Sequence, residues 1–320
     1  MNSWKAALRF ALAAVALLLL FKFVRVDEIG STLASASGAG LLLGLLLNLS
    51  TRFAAGARTY ALSRAARLPV TYARTMQALY VSNFWSLALP GVSAGSVATV
   101  CRYRGHGAGA VESVAVLCAS RLVELMAFCL LALIGLGTTS ATGADGSHSW
   151  TALLLVGVII AVTTTLLLLR YLPSPTPGTG ARPSIGLVYR ARSAITEAIT
   201  LLRNLSRWSL LQAAGWALLQ GILDALTVLA FAQALNIPIG LSQALWINAL
   251  SYLAILLPIS AAGLGVREGA VLAALVPLGV TPADAVSLAV LMLAATLLNA
   301  LIGALLQVGV PAAGARSAAP

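Results

Sequence analysis

Charged residues are scarce in this chain of 320 residues. Only 9% of its residues are Asp, Glu, Lys or Arg, whereas a soluble globular domain carries roughly 25%. Hydrophobic residues make up 60% of the chain, and several apolar runs approach or exceed the ~18 residues that span a bilayer. The composition therefore predicts an all-α polytopic membrane protein, and we interpret residues 1–320 as a single integral membrane domain.

Acidic residues, cysteines and catalytic motifs are few or absent. The 9 acidic residues stand against 20 basic ones, and the basic residues lie in the loops between apolar runs, which argues against a nucleic-acid partner. The 3 cysteines have no C-x-x-C spacing, so neither a disulfide framework nor a metal site is indicated. No G-x-S-x-G, Walker or H-E-x-x-H pattern occurs in a suitable context, so we expect neither catalysis nor a cofactor.

Six apolar runs are predicted to be transmembrane helices. They are residues 6–24, 33–50, 113–136, 150–170, 209–232 and 283–308. The first is not interpreted as a secretory signal, because no A-x-A-like cleavage site follows it. Arginines dominate the loops at 52–74 and 170–207, so both loops are predicted to be cytoplasmic, and with them both chain termini.

Two further apolar segments, residues 75–101 and 242–277, are each interrupted by a proline and small residues. The first is flanked by arginines at both ends, whereas the second has no basic residue at either end. The flanking residues therefore predict that each segment enters and leaves the membrane on the same side. A re-entrant hairpin of two half-helices has this arrangement. The alternative is a pair of full spans that are kinked at proline.

Helix, hairpin and helix thus occur twice, over residues 33–136 and 209–308, on either side of a basic cytoplasmic loop at 171–208. The loop charges give the two copies opposite orientations, which predicts an inverted-topology repeat. Paired Gly/Pro-interrupted segments in such repeats indicate a substrate site near the middle of the membrane. The substrate-binding candidates at the two breaks are Pro90, Gly95, Ser96, Pro258, Ser260, Gly263 and Gly265.

Five ionisable side chains lie within the apolar segments: Arg121, Glu124, Asp224, Arg267 and Glu268. Each costs at least ~2.5–3.5 kcal/mol at a helix centre, so each requires a partner or a function. Arg121 and Glu124 are three residues apart on one helix, so they are predicted to form either an internal ion pair or part of a substrate path. Asp224 is either a proton-carrying group or a satisfied polar contact.

Arg267 and Glu268 are adjacent, so they are predicted to point to different faces of a helix and to need different partners. Arg267 lies at the start of the returning half-helix, where the helix dipole and the guanidinium together favour a phosphate or carboxylate group. The alternative is a structural ion pair of Arg267 with Asp224 or Glu124.

The stretch L-P-I-S-A-A-G-L-G-V-R-E-G, which begins at Leu257, resembles the hallmark of the membrane (flippase-like) domain of lysylphosphatidylglycerol synthases. Asn83-Phe84 followed by Pro90-Gly91 resembles the first-hairpin element of that family. The stretch that begins at Ser120, S-R-L-V-E, is similar to its R-L-x-(D/E) helix. The resemblance covers nearly the whole chain.

The resemblance implies a bacterial inner-membrane protein that translocates an anionic phospholipid or a lipid-linked substrate. The alternative is a non-transporting subunit beside a membrane glycosyltransferase or lipid synthase. Since the chain ends shortly after its last apolar run, we expect no synthase activity. The family commonly has an acid and an arginine in the first hairpin, where this chain has Ser96 and Thr99. We therefore expect the main substrate contacts at Arg267, Glu268 and the Arg121–Glu124 pair.

Overall fold

A computed structural model describes Thr32 and residues 34–88, 94–141, 205–256 and 265–308. These ranges contain α-helices, turns and one 3₁₀ turn (Val276–Leu278), and no strand. The helices are α1 (Gly38–Ala65), α2 (Tyr72–Ala88), α3 (Ala94–Gly105), α4 (Ala110–Ala141), α5 (Arg207–Ala234), α6 (Leu241–Leu256), α7 (Val266–Leu275) and α8 (Pro282–Val308). The predicted runs at 6–24 and 150–170, the loop at 171–204 and the tips of both breaks lie outside the described residues.

Four of the described helices are long and apolar enough to cross a membrane: Gly38–Ala65, Ala110–Thr138, Arg207–Ala234 and Pro282–Gln307. The shortest has 26 residues, and at about 1.5 Å per residue it exceeds the ~30 Å thickness of the hydrocarbon core. These helices contain the predicted runs at 113–136 and 209–232 and most of those at 33–50 and 283–308. The predicted all-helical architecture is confirmed for the described residues, and these four helices support a multi-pass membrane protein.

Helix α1 is longer than the apolar run predicts. It continues through Arg52, Arg58 and Arg64 to Ala65, so the predicted loop at 52–74 is wrong and only residues 66–71 connect α1 to α2. The physical reason is that no helix-breaking proline occurs before Pro69. Three arginines that the charge pattern assigned to a loop are therefore carried on a membrane-spanning helix.

Helices α1 and α5 end with the same local structure. Arg67 and Asn236 adopt the left-handed conformation with φ of 55° and 60°, and such a residue is common just after the end of a helix. In each case the following residue donates its N–H to a carbonyl near the end of the helix, and a proline comes next. The Leu68 N–H donates to the Ser63 carbonyl at 2.9 Å before Pro69, and the Ile237 N–H donates to the Ala232 carbonyl at 2.8 Å before Pro238. The two halves of the chain therefore share a helix-ending device.

Helices α1 and α5 also pack against each other in antiparallel directions. The beginning of α1 meets the end of α5, where the Ser37 N–H donates to the Ala234 carbonyl at 2.9 Å. Farther along, Arg58 Nη1 of α1 donates to Gln220 Oε1 of α5 at 2.6 Å. A Cβ at Gly40 would lie 2.8 Å from the Cβ of Ala234, so glycine allows the close approach of the two helices.

The first broken segment folds back on itself. Near the end of α3, the Tyr103 hydroxyl donates to Thr75 Oγ1, near the start of α2, at 3.3 Å. Gly95, at the start of α3, lies against Ser82 and Ser86, near the end of α2, where any Cβ would collide with them. Helices α2 and α3 therefore form an antiparallel helical hairpin, and α6 and α7 of the second segment also pack against each other.

The helix contacts keep their pattern when α1–α4 are exchanged with α5–α8. Helix α2 packs on α8 and α6 packs on α4, while α3 packs on α4 and α7 packs on α8. Two apolar clusters follow the same exchange. One joins the end of α1 to the start of α2 and the end of α3 through Leu62, Ala78 and Tyr103. The other joins the end of α5 to the start of α6 and the end of α7 through Phe231, Ala244 and Leu275. The described helices therefore form two similar halves.

Two glycines occupy matching places in these halves. Gly135 of α4 lies against the backbone of α6, and Gly303 of α8 lies against the backbone of α2. The number of residues between Gly135 and Gly303 equals the number between Pro90 and Pro258, the residues at which the two segments break. Each long helix therefore approaches the first arm of the opposite hairpin through a glycine.

We expect the substitution Gly303→Ala to lower the midpoint of thermal unfolding in detergent. The added Cβ would meet the Tyr80 carbonyl in α2, and overpacking of this kind costs about 1–3 kcal/mol. Gly215→Ala in α5 is the matched control, since nothing lies within 4 Å of a Cβ at that position. Equal midpoints for the two variants would contradict a tight contact between α2 and α8.

Candidate functional site

A polar cavity of about 400 Å³ lies among the helices. Each of α1–α8 contributes at least one lining residue, so both broken segments reach it. Its volume lies within the range of roughly 300–1,000 Å³ that is typical of ligand sites. The charged residues that line it are Arg52, Arg121, Glu124, Asp224 and Arg267.

Glu124 of α4 is the centre of a buried network that joins four helices. Its Oε2 lies 3.2 Å from Arg58 Nη2 and 2.9 Å from Arg121 Nη1. The same oxygen accepts a hydrogen bond from the Tyr252 hydroxyl at 2.9 Å, and Oε1 accepts one from Gln220 Nε2 at 2.8 Å. The Glu124 side chain is only 4% exposed. A carboxylate at this depth is tolerated because its partners replace the water that it has lost.

Arg58 of α1 is fully engaged by its neighbours. Its Nε donates to Ser120 Oγ at 3.0 Å and its Nη1 donates to Gln220 Oε1 at 2.6 Å, while Nη2 pairs with Glu124. The side chain is 3% exposed. Arg58 therefore neutralises Glu124 and connects α1 to α4 and α5, and all three of its nitrogens already have partners.

The predicted pair of Arg121 and Glu124 is present, but the two members differ in exposure. The Arg121 side chain is 58% exposed, against 4% for Glu124. Both residues line the cavity, so the pairing and the lining role occur together. Asp224 also lines the cavity, and its Oδ2 accepts a hydrogen bond from Gln220 Nε2 at 3.4 Å. Asp224 thus has the polar contact that was one of its two predicted interpretations.

The expectation that Arg267 and Glu268 need different partners is wrong. Nη2 of Arg267 lies 3.1 Å from Oε1 of Glu268, and both side chains are buried. The reason is local, because Glu268 turns back to the start of α7 and accepts the Gly265 N–H on its Oε2 at 2.7 Å. This is the reach of an acid at the third helical position, and the long arginine side chain follows it. Among the described residues, Arg267 pairs with neither Asp224 nor Glu124.

The start of α7 is therefore occupied by a carboxylate of the same chain. Gly265 has a φ of 82°, which favours glycine, and its N–H is directed to Glu268. Arg267 still lines the cavity, and its Nη1 donates to Thr296 Oγ1 of α8 at 3.1 Å. Its buried Nε has no hydrogen-bond partner within the ranges that the structure describes.

The predicted site residues at the two breaks fall into three groups. Ser96 lines the cavity. Gly95 and Gly265 shape the backbone where α3 and α7 begin and, like Glu268, are not among the residues that line the cavity in the described ranges. The remaining four lie outside the described residues: Pro90, Pro258, Ser260 and Gly263.

Sequence analysis missed three members of the network, namely Arg58, Gln220 and Tyr252. The absence of a helix breaker between residues 38 and 65 would have placed Arg58 inside a helix. A glutamine in the otherwise apolar run at 209–232 is a weaker signal, since such residues often form hydrogen bonds between helices. Tyr252 has no distinguishing signal in its sequence context.

Comparison with known proteins gives the family. The chain matches the family model described as Lysylphosphatidylglycerol synthase TM region over residues 6–303. The match covers well over half of the chain, and the chain belongs to this family. No curated protein matches the chain in sequence. The predicted resemblance is therefore confirmed, and it places the chain among membrane proteins of lipid-related processes.

Proposed function

We propose that this member of the lysylphosphatidylglycerol synthase transmembrane family translocates an anionic phospholipid, or a lipid-linked anionic substrate, between the two leaflets of the membrane. The observation that carries the proposal is the polar, arginine-lined cavity of about 400 Å³ among long apolar helices. Ionisable groups at membrane depth are costly, and they typically mark a substrate path. A lipid head group is the part of a lipid that needs such a path, because it cannot cross the hydrocarbon core unaided.

The arrangement of the two halves supports a mechanism of alternating access. Corresponding helices α1 and α5 run antiparallel, and the contacts of α1–α4 match those of α5–α8. The twofold axis that exchanges two antiparallel helices is perpendicular to them. For helices that cross a bilayer, this axis lies in the membrane plane, as in inverted-topology repeats. With the runs at 6–24 and 150–170, we interpret the chain as six transmembrane helices and two re-entrant hairpins, α2–α3 and α6–α7. Rocking of one half against the other would then open the cavity to each side in turn.

The bacterial inner membrane is the location that the family resemblance implies, and the distribution of arginines supports cytoplasmic termini. Arg67, Arg74 and Arg102 lie where α1 ends, α2 begins and α3 ends. The end of α8 lies beside these arginines, because Arg102 Nη2 donates to Gln307 Oε1 at 3.1 Å. The start of α8, which carries Asp284, therefore lies at the opposite end of the described helices. Basic residues accumulate on the cytoplasmic side of membrane proteins, so the arginine-rich end is assigned to the cytoplasm.

We propose transport and not catalysis because the carboxylates that line the cavity are already engaged by neighbouring side chains. Glu124 is held by two arginines, and Asp224 is hydrogen-bonded to Gln220. A nucleophile in contact with a general base is the arrangement that covalent catalysis requires. The described network contains carboxylates paired with guanidinium groups instead.

Reconstitution in liposomes tests the proposal. The purified protein is expected to accelerate the exchange of fluorescent anionic phospholipids between leaflets, measured as the fraction of label that an impermeant quencher reaches. Protein-free liposomes and liposomes with heat-inactivated protein are the controls. The lipid panel should include zwitterionic phospholipids and lipid-linked sugars, so that selectivity is read in the same experiment.

Unchanged exchange across the whole panel would contradict translocation. The result would favour the alternative of a non-transporting subunit that docks a membrane glycosyltransferase or lipid synthase. Crosslinking in the native membrane followed by co-purification would then identify the enzyme, and the absence of any partner would exclude that alternative as well.

A further inference from the structure

The arginines of the cavity differ in how far their charge is already used. Arg58 has a partner on each of its three nitrogens. Arg267 is paired with Glu268 at 3.1 Å. Arg121 is 58% exposed and shares Glu124 with Arg58. Arg52 is half-buried, and its Nε donates to Thr51 Oγ1 at 3.3 Å. Its charge lies near Asp224, but the two form no direct ion pair in the part of the chain that the structure describes. Each of Arg52 and Arg121 uses one of its three nitrogens in the described ranges, so these two guanidinium groups have the most donors left for a ligand.

Neutral polar side chains gather beside these two arginines. A smaller cavity of about 50 Å³ shares seven lining residues with the large one. They are Arg52, Ser82, Asn83, Ser96, Arg121, Gln220 and Glu124, and the carboxylate of Glu124 is already paired with arginines. Hydroxyl and amide groups with two guanidinium groups are the donors that suit the oxygens of a phosphate. These donors come from α1, α4 and both arms of the first hairpin. The first half of the chain therefore provides a candidate phosphate site.

The balance of charge restricts the kind of anion. Four arginines line the cavity or pair with its lining residues in the described ranges: Arg52, Arg58, Arg121 and Arg267. Three carboxylates oppose them: Glu124, Asp224 and Glu268. The cluster thus has an excess of one positive charge when all seven groups are ionised. A monoanion completes the balance, whereas a dianion would leave a buried negative charge uncompensated.

We propose that Arg52 and Arg121 bind the phosphodiester monoanion of a lipid at the first hairpin, with Ser82, Asn83 and Ser96 as neutral donors. The inference rests on the proposed function, since it names the chemical group that the transported substrate presents. It keeps Arg121, which sequence analysis also favours, and replaces Arg267 of the second half with Arg52 of the first half. Arg267 stabilises the start of α7 together with Glu268.

Binding to the purified protein tests this site. The probes are short-chain phosphatidylglycerol, a phosphodiester monoanion, and short-chain phosphatidic acid, a monoester that is largely dianionic at pH 8. Arg52→Gln is expected to weaken the binding of phosphatidylglycerol by about tenfold or more, since hydrogen bonds to charged groups contribute about 1.5–3 kcal/mol. Arg64→Gln is the matched control, because Arg64 is exposed on the same helix outside the cavity. Arg52→Lys retains the charge and is expected to recover part of the affinity.

Three results of the binding experiment would overturn the inference. The first is an equal loss of affinity in Arg64→Gln, which would indicate unspecific surface attraction. The second is a loss in Arg267→Gln with none in Arg52→Gln, provided that both variants keep the thermal midpoint of the parent. The third is equal or tighter binding of phosphatidic acid at pH 8. Translocation that is unaffected by Arg52→Gln would reject this site and leave the proposed function standing. Binding that depends on Arg52 without any translocation would reject transport and leave the site standing.

Discussion

Glu124→Gln is expected to lower the free energy of unfolding by about 3–5 kcal/mol. The change is measured from the denaturation curve with SDS in mixed micelles. The substitution keeps the shape of the side chain and removes its charge. Arg58, which is 3% exposed, then retains a buried charge with no counterion among the described residues. Removing one partner of a buried ion pair has this large effect because the remaining charge is neither solvated nor neutralised.

Two further variants identify the cause of the loss. Glu112→Gln is the matched control, since Glu112 lies in the first turn of the same helix α4 and outside the network, where an acid contributes about 0.3–1 kcal/mol. The double variant Arg58→Met with Glu124→Met removes both charges. It is expected to recover much of the stability that Arg58→Met alone or Glu124→Met alone loses. A double variant whose loss equals the sum of the single losses would show that the pair is not coupled. The same conclusion would follow if Glu124→Gln lost no more stability than Glu112→Gln.

Hydrophobicity predicted most of the described architecture. The start of α5 and the limits of α8 lie within a few residues of the predicted runs at 209–232 and 283–308, because a bilayer requires helices of one length and one polarity. The end of α1 was missed because charge was taken as the sign of a loop. Arg58 is tolerated inside a helix since Glu124, which lies on another helix, neutralises it. A partner that is distant in sequence is not visible in the local composition.

Sequence analysis named most of the charged residues that line the cavity, but it predicted contacts between them only where the geometry is local. The pair of Arg121 and Glu124 follows from their spacing on one helix. The roles of Gln220 and Tyr252 depend on how α5 and α6 pack against α4, which no spacing in the sequence specifies. Helical geometry was also misleading at Glu268, because a residue in the first turn can bend back to the helix start instead of projecting outward.

We expect an impermeant maleimide to reach both ends of a broken segment from the same side of the membrane. The two broken segments are expected to be labelled from opposite sides. Burial and the nearby positive charges of Arg74 and Arg102 lower the pKa of His106, in the connection between α3 and α4. Arg74 is near the start of α2 and Arg102 near the end of α3, so both ends of the first segment meet at one connection. The cluster of apolar residues at the start of α6 and the end of α7 lies at the opposite end of the described helices.

This arrangement is tested with single-cysteine variants in a background without Cys101, Cys118 and Cys129. The cysteines replace Arg74, Arg102, Gly240 and Asp284. An impermeant maleimide added to intact cells is expected to label Gly240→Cys and Asp284→Cys, and to label Arg74→Cys and Arg102→Cys only after permeabilisation. Cys101 is exposed near the end of α3, so restoring it alone gives a native control that should behave like Arg102→Cys. Labelling of Arg74→Cys and Arg102→Cys from opposite sides would mean that α2 and α3 cross the membrane as one kinked span, and the inverted repeat would then fail with the hairpin.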